Sequence, residues 1–247
     1  MRTLGVLFGL VLAMLPICGQ TSKDAYGKPL IVLTEQNPWL MAIGSDTPSF
    51  VLYENGKVIY KHVEDRTLTI YESPLDSDQL RNFIGSLNLA DSFYELPTKI
   101  IASNWTDQPN NVLTMNLTIP KTFIIYGNIR RSDKLIDETV PKELLLVIKK
   151  LINFSGPSAT VWKPQVMEVM FWDFGYAKEM KAWPKDLPDL KSVGTKKFAN
   201  GMYSVYLNVD QFEAFKKFST TIDERTAVLI NGKKMTMSAR YPFPNIQ

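Results

Sequence analysis

Phe50-Val51-Leu52-Tyr53-Glu54-Asn55-Gly56-Lys57-Val58-Ile59-Tyr60 decides the fold class. Two runs of β-branched, aromatic and aliphatic residues flank a short polar break, and an Asn-Gly pair readily takes the positive φ angles of a tight turn. The stretch is expected to fold as a β-hairpin closed by a type I′ turn at Asn55-Gly56. Outward from it, residues 30–33 read as an earlier strand and residues 67–71 as a later one. A second Asn-Gly-Lys turn, Asn231-Gly232-Lys233, predicts another hairpin between residues 228–230 and 235–239.

Helices interrupt these strands. Asp76 is placed to cap free amides of a first turn, with Gln79 three residues on to reach back to it. Leu80, Phe83, Ile84 and Leu87 then give the helix one apolar face, and Leu75 with Leu80 forms a hydrophobic staple. Leu207-Asn208-Val209-Asp210-Gln211-Phe212 repeats the device seen at Leu75-Asp76-Ser77-Asp78-Gln79-Leu80. The copies are not collinear, because one hairpin precedes its helix and the other follows. Independent helix starts and an old duplication both account for them. A third helix is expected over residues 141–153, with Leu144, Leu145, Ile148, Leu151 and Ile152 as its stripe.

Residues 112–119 alternate as a strand and should pair with residues 122–126 across Pro120-Lys121. Residues 166–172 read as another strand, and residues 181–194 as a proline-punctuated loop. The sum is an α+β chain, mostly antiparallel sheet with about three packed helices. Ser155-Gly156-Pro157-Ser158 either divides it into two similar subdomains, 20–155 and 156–247, or is a turn within one domain.

The chain begins with Arg2 followed by an apolar run over residues 4–17, too short to cross a hydrocarbon core about 30 Å thick at about 1.5 Å per residue. Residues 1–19 are expected to be a cleaved signal peptide, with the small Gly19 before the cut. The alternative is a lipid anchor on Cys18, against which bulky Ile17 argues. Export to the periplasm or the medium follows, and no later segment is apolar for long enough to span a membrane. Cys18 is the one cysteine of 247 residues, so the exported chain is expected to have no disulfide, thiol nucleophile or cysteine-bound zinc. A 45% apolar and 11% aromatic composition is that of a packed domain. A net charge of +3, with basic residues scattered in pairs, argues against nucleic acid as a partner.

Little in the sequence promises catalysis. His62 is the only histidine, which rules out a histidine-rich metal site, and it reads as a strand-end surface residue. No Gly-x-Ser-x-Gly elbow or glycine-rich phosphate loop is present, and Asp76-Ser77-Asp78 is explained by helix capping rather than cation binding. No cofactor is expected. Glu168 and Asp173, with Asp186 and Asp189 nearby, are the carboxylates from which a glycan hydrolase would be built. Five residues apart on a strand, Glu168 and Asp173 would face opposite sides. Asn104, Asn116 and Asn153 open Asn-x-Ser/Thr triplets that read as chance.

The densest aromatic stretch holds the candidate binding residues Trp162, Trp172, Tyr176 and Trp183, stiffened by Pro164, Pro184 and Pro188. Flat rings on such a segment suit an envelope glycan or a protein partner, and serve equally as core. Trp162-Lys163-Pro164, Glu168-Val169-Met170, Trp183-Pro184-Lys185-Asp186 and the ending Arg240-Tyr241-Pro242-Phe243-Pro244 resemble a group of exported bacterial proteins with no assigned activity. That resemblance implies an envelope or secreted location and no site. The expectation is a non-enzymatic binding or envelope-associated protein. The alternatives are a carboxylate-dependent hydrolase of glycans and an inhibitor or immunity-type protein for an enzyme in the same compartment.

Overall fold

The computed structural model describes residues 25–40, 46–64, 67–131 and 134–246; the expected signal segment and Cys18 lie outside them. The first sheet contains β1 (Pro29–Gln36), β2 (Phe50–Tyr53), β3 (Lys57–Glu64), β4 (Thr67–Pro74), β5 (Lys99–Ile101), β6 (Asn110–Met115), β7 (Lys121–Tyr126) and β8 (Thr160–Val161). Its order is β5-β7-β6-β1-β2-β3-β4-β8, antiparallel except for β5 on β7. The second contains β9 (Val166–Asp173), β10 (Glu179–Ala182), β11 (Lys196–Lys197), β12 (Tyr203–Asn208), β13 (Thr226–Ile230) and β14 (Lys233–Arg240). It runs β10-β13-β14-β9-β12-β11, with only β10 parallel to its neighbour. The α+β class holds, with helices laid on two mostly antiparallel sheets.

Helices α1 (Ser77–Gly85), α2 (Asp91–Glu95), α3 (Lys134–Thr139) and α4 (Lys142–Ile152) cover one face of the first sheet. The α1 cap is as the sequence implies: Asp76 Oδ1 accepts from the Asp78 and Gln79 amides at 2.9 and 2.8 Å, and Gln79 Oε1 accepts from the Asp76 amide at 2.9 Å. Leu144, Leu145, Ile148 and Leu151 of α4 are buried against Leu33, Phe50, Leu113 and Phe123. A 3-10 turn at Val209–Gln211 leads into α5 (Phe212–Ser219), which covers the second sheet, and Asn208 with Gln211 repeats the capping box.

The first hairpin departs from its expected turn. Leu52 pairs with Val58, so Glu54, Asn55 and Gly56 form a three-residue loop, and among them only Gly56 has a positive φ, +83°. A loop of that length places its glycine in the left-handed region at the third position. The cause is tertiary: the Gly56 carbonyl accepts from the Leu75 amide at 2.9 Å, while Asn55 Nδ2 holds the Ala25 carbonyl at 2.8 Å. The second hairpin has the type I′ form, with Ile230 paired to Lys233 and φ of 48° and 79° at Asn231 and Gly232.

Two other boundaries move. β6 ends at Met115 and pairs there with Lys121, so residues 116–120 form the connection and Ile119 is exposed. Asn116 turns away to donate from its amide to the Leu30 carbonyl (2.7 Å) and from Nδ2 to the Pro29 carbonyl (3.0 Å). The expected loop over residues 181–194 begins instead in β10, because Glu179–Ala182 finds an open edge on β13. Ser155-Gly156-Pro157-Ser158 lies against β4, with Ser73 Oγ donating to the Pro157 carbonyl at 2.5 Å. The chain passes from one sheet to the other between Val161 and Val166.

The two sheets are joined on the first sheet's helix-free face. Alternation along β2 and β3 turns Val51, Tyr53 and Ile59 away from the helices, toward Trp162 and Phe243. The chain's last residues return to this face. Tyr53 Oη donates to the Pro244 carbonyl at 2.8 Å, Asn245 Nδ2 donates to the Gly27 carbonyl at 2.7 Å, and the Phe243 ring meets Trp162 edge-on at 5.0 Å.

Candidate functional site

Beside that joint the two sheets leave a cleft of about 400 Å³, lined on the first sheet by Lys61, Leu68 and Ile70 and on the other side by Trp162, Arg240 and Tyr241. Strand alternation places these groups. Lys61 stands two residues after Ile59 on the helix-free face of β3, directly across from Ile70 of β4. Leu68 follows on the same face and is 54% exposed, an apolar side chain left open to solvent.

Lys61 ties the cleft lining to an ionic network. Lys61 Nζ donates to the Thr47 carbonyl at 2.5 Å. Burial lowers its pKa, while Glu35 and Asp46 oppose the fall, and the result stays below the ordinary lysine value. Burial likewise raises Asp46 above its ordinary value, against a hydrogen bond from the Asn37 amide (2.8 Å) and the charge of Lys61. Glu35 moves the other way. Burial would raise it, but Arg130 grips it with two bonds of 2.6 and 2.7 Å and Ser49 Oγ donates to it, so its carboxyl falls below the ordinary range.

Arg240 supplies the cation from the second sheet. It lies across from Glu168 in the ladder, and its Nε donates to Glu168 Oε2 at 2.7 Å while Nη1 donates to the Asp46 carbonyl at 3.3 Å. Tyr206, the neighbour on β12, donates to Glu168 Oε1 at 3.3 Å. Arg240, Glu168 and Tyr206 thus make one polar row across three strands. The acids stand behind the cations. Among the described residues lining the cleft, Lys61 and Arg240 are the only charged side chains.

The four aromatic candidates are distributed rather than gathered. Trp162 lines the cleft and is held by its Nε1, which donates to Tyr26 Oη at 3.3 Å; Tyr26 in turn donates to Glu72 Oε2 at 2.5 Å. Burial and that carboxylate raise the Tyr26 hydroxyl to about 12. Trp183 is in the second sheet's core, 5.1 Å from Phe171, with Nε1 donating to the Pro188 carbonyl at 2.8 Å. Trp172 is half-buried against Met170 and Met202 on the opposite face of that sheet. Tyr176 is 84% exposed and rests edge-on against Phe174.

The candidate carboxylates do not converge either. Glu168 is buried in its ion pair, Asp173 and Asp186 are exposed, and Asp189 braces its own loop by accepting from Asn231 Nδ2 at 2.8 Å. His62 is exposed beyond Lys61, with its ring against Tyr71. Among the described residues, no group of three or more histidine, cysteine or acidic side chains could hold a metal ion, and no helix is long and apolar enough to cross a membrane.

Sequence reading passed over Lys61, Leu68, Ile70, Arg240 and Tyr241. Only one local signal existed: a period of two through Val51, Tyr53, Ile59 and Lys61 puts a lysine on a buried apolar face. Tested against family models, curated proteins and solved structures, the chain matches none.

Proposed function

We propose that this chain is an exported bacterial protein that binds rather than catalyses, and that its ligand enters the cleft between the two sheets. One observation carries the reading: two cations, Lys61 and Arg240, are the only charged side chains among the described residues lining a cleft whose walls include Trp162, Tyr241, Ile70 and Leu68. A concave apolar wall with a few convergent polar groups is the usual form of a ligand site. The charge of those groups favours a ligand with an anionic head and an apolar or aromatic body. Export rests on the leader at residues 1–19 and on the resemblance to exported bacterial proteins.

The chemistry available argues for binding over turnover. General acid–base catalysis needs titratable groups within reach of the reacting atoms. Here Glu168 is tied to Arg240 and Glu35 to Arg130, and both stand behind the cleft lining.

The test is a titration of the chain from Gln20 onward with 8-anilinonaphthalene-1-sulfonate, an anionic aromatic probe. The expected result is saturable enhancement at one site, weakened about tenfold by Lys61→Met through loss of one charge-assisted contact. Binding that is absent, or unchanged by Lys61→Met, would overturn the proposal.

A further inference from the structure

The edge of β4 gives the cleft a second kind of recognition. β8 covers that edge only at Tyr71 and Glu72, and the Trp162 amide makes the last bond, to the Ile70 carbonyl at 2.8 Å. No ladder pairing continues past Trp162, and Pro164, which lines the same cleft, has no N–H to give. Thr67, Leu68 and Thr69 therefore extend past the covering strand.

Ladder geometry says which way their polar groups point. In an antiparallel pair, residues alternate between those bonded across the pair and those whose N–H and C=O face outward. Lys61 pairs with Ile70 but sends its amide the other way, to the Ser49 carbonyl at 2.8 Å. The Ile70 carbonyl correspondingly faces outward, to Trp162. Two residues along, Leu68 shares that phase. Its N–H and C=O point out of the sheet, and nothing among the described residues bonds them.

Open donors and acceptors on a strand edge are a template for another chain. Here they border a lining that carries Lys61, Arg240 and the exposed apolar side chain of Leu68. Resting on the binding role proposed above, we infer that the ligand is an extended segment of a partner protein. It adds as a strand at Leu68 and carries a carboxylate toward Lys61 and Arg240. Backbone bonds would supply affinity, and the alternate side chains lying in the cleft would supply selectivity. Among the described residues the lining carries no acid, which favours an acidic segment over a basic one.

The experiment selects short random peptides displayed on phage against the chain from Gln20 onward, then measures the synthesised winners by fluorescence anisotropy. Enriched peptides should alternate apolar residues with aspartate or glutamate. Leu68→Pro should weaken them about tenfold, since it deletes the outward N–H at an edge position where proline leaves the ladder intact. Leu68→Ala, which keeps the N–H, should weaken them less. N-methylation at alternate peptide positions should abolish binding in one phase and spare it in the other, a result that does not depend on how any variant folds. Selection of no peptide, or of peptides indifferent to both Leu68→Pro and N-methylation, overturns strand addition. If the sulfonate probe still binds through Lys61 in that case, the cleft stands as a small-ligand site. If neither binds, both proposals fall.

Discussion

Gly56→Ala and Gly232→Ala change the same residue in the same Asn-Gly-Lys motif, and the structure predicts different costs. Both glycines have left-handed φ, +83° and +79°, where an alanine costs about 1 kcal/mol. At Gly232 a new Cβ meets nothing within 4 Å, so that strain is the whole effect. At Gly56 it would stand 2.2 Å from the Leu75 carbonyl oxygen, a backbone atom that cannot swing aside. The hairpin tip must lift from the start of α1, losing the 2.9 Å bond from the Leu75 amide to the Gly56 carbonyl, worth about 1 kcal/mol, and loosening the buried Leu75. The total comes to about 3 kcal/mol for Gly56→Ala against about 1 for Gly232→Ala. Urea unfolding of the two variants beside the parent measures both as midpoint shifts at constant slope. Equal costs would refute the packing of this turn against α1, and with it the reason the first Asn-Gly pair forgoes the type I′ turn.

Two further outcomes follow from the joint and the ionic network. Phe243→Ala removes a buried ring from the contact with Trp162 and should cost about 3 kcal/mol, with tryptophan emission shifting to the red as the terminal segment loosens; a loss under about 1 kcal/mol would show that this segment is not packed as described. Glu35 has a folded pKa below its ordinary 4.5, so its contribution is complete above that value and is lost as the pH falls through the folded pKa. Glu35→Gln should therefore cost about 2 kcal/mol at neutral pH and progressively less in acid, read from urea midpoints across the carboxylate range. Asp46, whose pKa is raised, has the opposite sign, so Asp46→Asn should not flatten the acid limb. An acid limb unchanged by Glu35→Gln would contradict the Arg130–Glu35 pairing.

Local chemistry was legible in the sequence wherever a feature depends on neighbours a few residues apart. The Asp76–Gln79 and Asn208–Gln211 boxes, the α4 stripe and the type I′ turn at Asn231-Gly232 all form as their spacing implies. Features decided across the fold were not legible. Gly56 turns on Leu75, β6 stops where Asn116 reaches back to β1, and β10 exists because β13 offers it a parallel edge. The cleft is the extreme case. Lys61 and Arg240 are 179 positions apart (240 minus 61), and they meet only because β14 runs beside β9 and delivers its end to the loop before β2. Aromatic density pointed to Trp162 for a reason shared by Trp183; both rings are buried, and only their place in the fold separates them, one beside the cleft and the other in the second core.

The most direct test of the central claim is an amide chemical-shift map of the chain from Gln20 onward, titrated with the sulfonate probe. The shifted amides should cluster at Thr47, Lys61, Leu68–Ile70, Val161–Trp162 and Ala239–Tyr241, which line the cleft. Shifts centred instead on the exposed Trp39, Trp105 or Tyr176, or no saturable shifts at all, would contradict it.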